Sequence, residues 1–464
     1  MVWQPGECAW MTVGLDGAGL SLSRVLATDY GTFRPLFVLA GGVEWRLLGA
    51  NANAHHLVLL ALHLCNVALL GWLARRLGLS LSRALACALL FALGPLRLDV
   101  ALSLHARGDL LVTALCLGFA LLWWTGAPSR GRMLVALATA TLACLSKETA
   151  LAAVPAMAIL DGRWSWRARV APLVVVACVL VARTIAIGAT GSYLDDSWHL
   201  APGLRGIAES ALLAVAPSAA LIAWADRARA ALGAGVYAWV RGGVCLVVAL
   251  LAVAYVGRAL PRSPTRTVGV ALALSGLAVG VAFINAREVY FPATGVCLLL
   301  AACPWRRAQV LLGGLIALLA VATIARAAEH VRVERLGRAL HENAIAMARA
   351  HHVNTLVIIA APDEIEGVGA SPASECWRLA RPEETELLPL VRSSSRRGLG
   401  PILLASEAHR VTLAFAPGEW EVAPFVCVAP GVRCSGDTIT VELPTVAATG
   451  YALWMGGDGL RWLE

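Results

Sequence analysis

Apolar segments long enough to cross a bilayer recur between residues 55 and 326 of this chain. Only 15% of the residues are charged and 59% are hydrophobic, whereas about 25% of the residues of soluble proteins are charged. Because a soluble core cannot hide that much apolar surface, we predict an all-α polytopic membrane protein with about 10 or 11 transmembrane helices. The pattern excludes a soluble enzyme, a secreted disulfide scaffold and a disordered chain. The predicted crossings are at about 55–74, 80–96, 108–125, 132–147, 149–161, 170–189, 236–257, 267–285, 289–304 and 308–326.

Arginine in alternate loops sets the predicted orientation, since Lys and Arg favour the cytoplasmic side. The alternation is regular if the apolar segment 206–224 is re-entrant or interfacial, and both chain ends then lie outside. Residues 1–33 contain no signal peptide, so we expect a first transmembrane helix to precede the sequence as given. The loops assigned to the cytoplasm carry Arg75, Arg76 and Arg83, then Arg130 and Arg132, then Arg163, Arg167 and Arg169, then Arg258, Arg262 and Arg266, then Arg306 and Arg307.

The net charge of +8 divides unevenly along the chain. Residues 1–327 hold 26 Lys and Arg against 13 Asp and Glu, or +13, whereas residues 328–464 hold 12 against 17, or −5. Membrane topology accounts for the positive loops, so we predict no nucleic-acid partner.

Ionisable residues of both signs gather at the opposite, outer ends of the predicted helices. One ionisable residue at a helix end can extend to the lipid headgroups or cap the helix without any further role. Because charges near a bilayer are costly, a cluster of them at one side indicates a functional site. Arg and Lys hold phosphate oxygens, and a carboxylate can act as a general base, so the layer suits an anionic lipid phosphate. Its members are Arg34, Glu44, Arg46, Arg97, Asp99, His105, Arg107, Asp109, Lys147, Glu148, Arg183, Arg241, Arg287 and Glu288.

A change of composition after residue 327 predicts a separate outer α+β domain. Residues 327–350 have the pattern of a charged amphipathic helix, and strands are predicted at 357–361, 411–415, 421–428 and 438–443. Cys427 and Cys434 flank a predicted turn and either pair or remain free thiols. The predicted domains are therefore an outer loop with an interfacial helix (1–54), a transmembrane domain (55–327) and the α+β domain (328–464).

Five short motifs in order resemble the GT-C class of integral-membrane glycosyltransferases. They are Arg34-Pro-Leu, His63-Leu-Cys-Asn66, Arg107-Gly-Asp109-Leu-Leu, Lys147-Glu148 and Arg287-Glu288-Val-Tyr290-Phe-Pro292. The branch most similar is that of the bacterial relatives of protein O-mannosyltransferases and of the transmembrane O-mannosyltransferases with tetratricopeptide repeats. The resemblance covers roughly residues 20–327, and no repeat of that kind follows.

This resemblance implies transfer of a sugar from a polyprenyl-phosphate donor to a hydroxyl of a protein, glycan or lipid acceptor. It implies an active site at the outer face of a bacterial inner membrane, with the C-terminal domain periplasmic or extracellular. The donor-phosphate and substrate site would comprise Arg34, Arg107, Asp109, Lys147, Glu148, Arg287 and Tyr290.

The acid that activates the acceptor in this class lies in the first outer loop, often near a divalent cation, here Mg²⁺ or Mn²⁺. It normally precedes Arg-Pro-Leu by some 30–40 residues, a position that falls at or before Met1 in this chain. Asp16 and Asp29 remain as candidates for the catalytic base. Otherwise the base precedes Met1 or has been lost.

Two other functions compete with glycosyl transfer. A non-catalytic GT-C-like protein would bind polyprenyl lipid or serve assembly of the cell envelope. A transporter or flippase is disfavoured, because the charges stay at one leaflet and do not reach the midplane where transporter sites lie.

Overall fold

The fold is given by a computed structural model that describes residues 33–49, 51–187, 263–280, 290–303 and 306–359, together with the short strands named below. The chain divides into two units, which are described separately. The helical unit comprises Thr12–Leu47 and Ala54–Arg326, and the C-terminal unit contains Ala327–Glu464.

Helices make up nearly all of the described helical unit. In chain order they are α1 (Pro35–Leu48), α2 (Ala52–Arg76), α3 (Leu81–Ala92), α4 (Pro95–Leu102), α5 (Arg107–Trp124), α6 (Arg130–Ser146), α7 (Thr149–Leu160), α8 (Trp166–Ile187), α9 (Pro264–Gly280), α10 (Tyr290–Ala301) and α11 (Arg306–Ala350). A 3₁₀ turn, Leu104–Ala106, lies between α4 and α5.

Four of the described helices are long and apolar enough to cross a bilayer: Asn53–Arg76, Arg107–Trp124, Trp166–Ala186 and Val310–Ala350. Helices α3, α7 and α10 are apolar but only 12 residues long, whereas a spanning helix needs about 20. Described helices lie in nine of the ten segments predicted to cross. The tenth, 236–257, and the segment 206–224 lie outside the described residues.

The predicted segment 80–96 is not one helix. Helix α3 begins after Ser80, whose side chain accepts the Arg83 amide at 3.4 Å, and it ends at Ala92. Gly94 then has an extended conformation, and α4 begins at Pro95. Proline suits the first position of a helix but restricts the residue before it to extended conformations, which accounts for the break.

Helices α9 and α10 approach closely through glycine. A Cβ atom added at Gly295 of α10 would overlap the backbone nitrogen of Ala273 and the carbonyl oxygen of Gly269, both in α9. The two backbones can therefore meet only because residue 295 has no side chain.

Arginine side chains cap the end of the helical unit at which α5 terminates; we call this the arginine end. Arg132 Nη2 donates to the carbonyls of Leu121 and Thr125, each at 2.8 Å, and Arg163 Nη2 donates to that of Trp123 at 2.7 Å. These bonds satisfy carbonyls that the last helical turn leaves without partners. Arg75 and Arg76, which end α2, and the exposed Arg167 belong to loops that the sequence analysis assigned to the same side.

Helix α11 is continuous over 45 residues and contains both the predicted crossing at 308–326 and the predicted amphipathic helix at 327–350. No proline occurs between Arg306 and Ala350, so nothing in the backbone chemistry ends the helix between the two segments. Within the helical unit, Thr323 Oγ1 donates to the Leu93 carbonyl at 2.6 Å and Arg326 Nε donates to Asp99 Oδ1 at 2.9 Å.

In the C-terminal unit the last turns of α11 pack against a mixed sheet. The core contains Leu340 and Ala344 of the helix with Leu356, Ile358 and Ala452 of the strands. Strand β3 (Thr355–Ile359) pairs in parallel with β6 (Glu386–Pro389) and β13 (Thr449–Gly456), and β14 (Gly459–Leu463) pairs antiparallel with β13.

Two further four-stranded sheets complete the described part of the C-terminal unit, in the orders β10-β7-β4-β5 and β11-β12-β9-β8. Strands β9 and β12 overlap the predicted strands 411–415 and 438–443, and β10 covers only the start of 421–428. Cys434 lies in β11, but Cys427 falls outside the described residues, so their pairing stays a prediction. The strands are β4 (Pro362–Ile365), β5 (Val368–Gly369), β7 (Ser393–Ser395), β8 (Ile402–Glu407), β9 (Arg410–Ala414), β10 (Trp420–Val422), β11 (Val432–Ser435) and β12 (Thr438–Glu442), and near the N-terminus β1 (Leu15–Asp16) pairs with β2 (Gly19–Leu20).

Candidate functional site

Charged residues near several helix ends form three ion-paired subgroups in the helical unit, which we call together the paired-charge cluster. The subgroups are related through the chain, because Arg107 lies two residues before Asp109 and Lys147 directly precedes Glu148. The loop before α1, the helices α1, α2, α5 and α8, and the link between α6 and α7 each contribute at least one residue. The members are Arg34, Glu44, His55, Arg107, Asp109, Lys147, Glu148 and Arg183.

Glu44 is the buried centre of the first subgroup. Its Oε1 accepts a hydrogen bond from Arg107 Nη2 at 2.7 Å and lies 2.5 Å from His55 Nδ1. Arg107 is 1% exposed and Glu44 9%, and the His55 ring stacks on Trp45 with a centroid distance of 5.9 Å. A carboxylate at this depth needs such partners, because an unpaired buried charge is strongly destabilising.

Asp109 and Lys147 form the second subgroup, in which Asp109 lies two residues after Arg107 in α5. Lys147 Nζ donates to Asp109 Oδ1 at 2.5 Å, and both side chains are buried. Asp109 lies in the first turn of α5, where the helix dipole favours a negative charge. Lys147 follows directly after α6, in an extended conformation that ends the helix. The pair therefore fastens the start of α5 to the end of α6.

Glu148 is held by two arginines in the third subgroup. Arg34 contacts both carboxylate oxygens: Nε donates to Oε2 at 3.0 Å and to Oε1 at 3.2 Å, and Nη2 donates to Oε2 at 2.7 Å. Arg183 Nη1 donates to Oε1 at 3.3 Å. Burial alone would raise the pKa of Glu148, but the charges of Arg34 and Arg183 outweigh it and hold that pKa below its ordinary value.

Tyr290 lies in a separate polar group between α2 and α10. Its hydroxyl is 2.7 Å from His63 Nδ1 and accepts a hydrogen bond from Asn66 Nδ2 at 3.2 Å. Asn66 Nδ2 also donates to the Leu110 carbonyl at 3.0 Å, which ties both helices to α5. The group thus combines residues of two motifs, His63-Leu-Cys-Asn66 and the one that ends in Tyr290-Phe-Pro292.

The predicted site residues divide into three sets. Arg34, Arg107, Asp109, Lys147 and Glu148 belong to the cluster, whereas Tyr290 contacts His63 and Asn66 in the polar group. Asp29 and Arg287 lie outside the described residues, and Asp16 lies in strand β1, where only its backbone is described.

The cluster also includes Glu44, His55 and Arg183, which lie outside the site predicted from the sequence. Glu44 and Arg183 were noted only as members of the outer charged layer. A usable signal existed for Glu44 and Arg183, because each interrupts an apolar stretch of a helix that has few other charges. Such a residue requires a buried partner of opposite sign, and the motifs that carry the resemblance supply those partners.

The described carboxylates do not fit a divalent cation. No group of three or more His, Cys, Asp or Glu that could hold a metal occurs among the described residues. Arginine binds both oxygens of Glu148, and Arg107 and Lys147 bind one oxygen of Glu44 and of Asp109, respectively, so a metal would have to compete with these cations. A cation implied by the resemblance would therefore depend on Asp16 or Asp29.

The cluster is suited to binding an anion. It contains four cationic side chains, Arg34, Arg107, Lys147 and Arg183, against three carboxylates, which leaves a positive excess beside His55. Arginine forks match the oxygen geometry of phosphate as well as that of carboxylate.

Comparison of the chain with protein-family models, curated proteins and solved structures finds no match.

Proposed function

We propose that this chain is a GT-C-like glycosyltransferase of a bacterial inner membrane, which transfers a sugar from a polyprenyl-phosphate donor to an acceptor hydroxyl on a protein, glycan or lipid. The observation that carries the proposal is the paired-charge cluster. It collects the charged residues of three of the five motifs into one group with more cationic than acidic side chains. That composition suits a phosphate that must be bound and then stabilised as a leaving group.

Apolar helix surfaces support the membrane location. Besides the four helices of spanning length, large apolar side chains stand exposed along several helices, among them Ile185 and Val310, each 79% exposed. Exposed apolar surface on this scale is unfavourable in water and favourable against lipid. The arginine end would face the cytoplasm by the positive-inside rule. The paired-charge cluster would then lie at the outer, periplasmic or extracellular side. The alternation of charged loops in the sequence independently assigns residues 328–464 to the outer side.

In the proposed reaction the acceptor hydroxyl attacks the anomeric carbon of the donor sugar. The new bond joins the acceptor oxygen to that carbon, and the bond from the carbon to the phosphate oxygen breaks. A carboxylate takes the hydroxyl proton, and cationic side chains stabilise the polyprenyl phosphate that leaves. Asp29 and Asp16 are the proposed bases, and Arg287 joins the described cations at the phosphate.

The test is transfer of label from polyprenyl-phosphate mannose, labelled in the sugar, by the full chain in proteoliposomes. Source-cell membranes that lack the gene supply the acceptor. We expect labelled product, its loss in Arg287→Ala, and loss in whichever of Asp16→Asn and Asp29→Asn removes the base. Arg167→Ala at the arginine end is the matched control and should retain activity. Full activity in Arg287→Ala and in both Asp variants would contradict the assignment.

A non-catalytic lipid-binding protein is the second candidate, and one observation favours it. Every carboxylate in the cluster is engaged by arginine or lysine, an arrangement that does not favour proton transfer by those groups. This candidate predicts that the chain binds a polyprenyl phosphate but moves no label to any acceptor. The transfer assay therefore separates the two candidates.

A further inference from the structure

The Glu148 carboxylate occupies a position that a phosphate group could fill. Arg34 grips both of its oxygens through Nε and Nη2, and Arg183 Nη1 reaches Oε1 from the other side. Two guanidinium groups that converge on one small anion are the usual surroundings of a bound phosphate. Arg34 and Glu148 are both partly exposed, so a ligand can reach this position from outside.

Arg183 has donor capacity that Glu148 does not use. The residue is 8% exposed, and its Nε has no hydrogen-bond partner among the described residues. A buried donor without a partner is costly, and a phosphate offers more oxygen acceptors than a carboxylate does. The arrangement of donors around Glu148 is thus better matched to a ligand with more oxygens.

We propose that Arg34 and Arg183 form a seat for a phosphate group, and that Glu148 occupies the seat until the ligand displaces it. The inference rests on the proposed function only in taking the phosphate to be that of a prenyl lipid. Binding is then an exchange of one anion for another, in which the arginines keep their charges paired throughout. Glu148 lies in the short link between α6 and α7, where its side chain can swing away without moving either helix.

Substitution of a residue at a binding site usually weakens binding of the ligand. Displacement predicts the opposite for Glu148, because its carboxylate competes with the ligand. Glu148→Gln removes the competing charge but keeps the size of the side chain. We therefore expect it to bind the phosphate ligand about tenfold more tightly, which corresponds to about 1.4 kcal/mol. Arg34→Ala and Arg183→Ala should each weaken binding at least about tenfold. Arg34→Lys keeps the charge and loses the fork, so it should also weaken binding.

The experiment measures the affinity of the purified full chain in detergent for farnesyl phosphate, by calorimetry at one ionic strength. Farnesol controls for the prenyl chain, and inorganic phosphate shows whether the seat takes the free anion as well as the lipid headgroup. The matched control is the pair at the arginine end, where Arg163 Nε and Nη2 bind Asp161 at 3.0 and 2.7 Å. Asp161→Asn and Arg163→Ala should leave the affinity unchanged.

The results separate this inference from the proposed function. Tighter binding by Glu148→Gln but not by Asp161→Asn supports displacement, even if no sugar is transferred in the labelling assay. Equal or weaker binding by Glu148→Gln overturns it, even if the chain transfers sugar. Equal tightening by Asp161→Asn would show a general effect of net charge and would also overturn it. Absence of farnesyl phosphate binding in both the parent chain and Glu148→Gln rejects the seat itself.

Discussion

The pairing of Glu44 with Arg107 makes a sharp prediction about stability. Both side chains are buried, and Arg107 Nη2 donates to Glu44 Oε1 at 2.7 Å. Removal of one member of a buried pair costs about 3 to 5 kcal/mol, because the other charge loses its main partner. Glu44→Gln and Arg107→Met should each show this cost. The double variant has neither charge, so its loss of stability should be much smaller than the sum of the losses in the two single variants.

The assay is a double-mutant cycle on apparent melting temperature in detergent. The helical unit has roughly 300 residues, and an unfolding entropy of about 2.1 cal/mol/K per residue gives it about 0.6 kcal/mol per kelvin. A loss of about 3 to 5 kcal/mol should therefore lower the melting temperature of each single variant by about 5 to 8 °C. The coupling free energy should be about 2 kcal/mol or more. His55 remains in all four proteins and shares Glu44 Oε1, so its contribution cancels only in part. Additive losses, with coupling within about 0.5 kcal/mol, would refute the pairing.

Three further predictions concern topology, packing and pH. Maleimide should label Arg167→Cys from the cytoplasmic side and Arg46→Cys from the outside, and labelling of both from one side would contradict the proposed orientation. Gly295→Ala should lower the melting temperature by several degrees because its Cβ would overlap the backbone of α9, whereas Gly131→Ala, with open space around it, should not. Because the folded-state pKa of Glu148 is lowered, its stabilisation is present above the unfolded pKa of about 4.3 and is lost as pH falls further. The difference in melting temperature between the parent chain and Glu148→Gln should therefore be large at pH 7 and shrink on acidification below pH 4.

Hydrophobic patterning located the helices well but did not predict where they break or continue. The predicted segment 80–96 divides at Gly94 because of the proline that follows, a local signal that an average over an apolar window conceals. At residue 327 the composition changes, but the backbone of α11 continues as one helix. Composition records the surroundings of a helix, whereas helix ends depend on capping residues, glycine and proline.

Charge type and motif order predicted five of the eight members of the paired-charge cluster. They did not predict which charges pair, because Arg34 and Glu148 lie 114 residues apart and Glu44 and Arg107 lie 63 apart. Pairing at such separations depends on how the helices pack, which one sequence without relatives does not encode in any readable pattern. The combination of His63, Asn66 and Tyr290 into a separate polar group was missed for the same reason.

The cost of burying charge connects the resting structure to the proposed ligand exchange. Four cations gathered near an apolar layer would be strongly unfavourable, and the three carboxylates reduce that cost by leaving an excess of only one. The same carboxylates compete with any anionic ligand for the cations. Of the three, Glu44 and Asp109 lie within helices, whereas Glu148 lies in the link between α6 and α7 and is the most exposed. Glu148 is therefore the carboxylate that can leave at the lowest cost, which is why displacement should occur at Arg34 and Arg183 and not at Arg107 or Lys147.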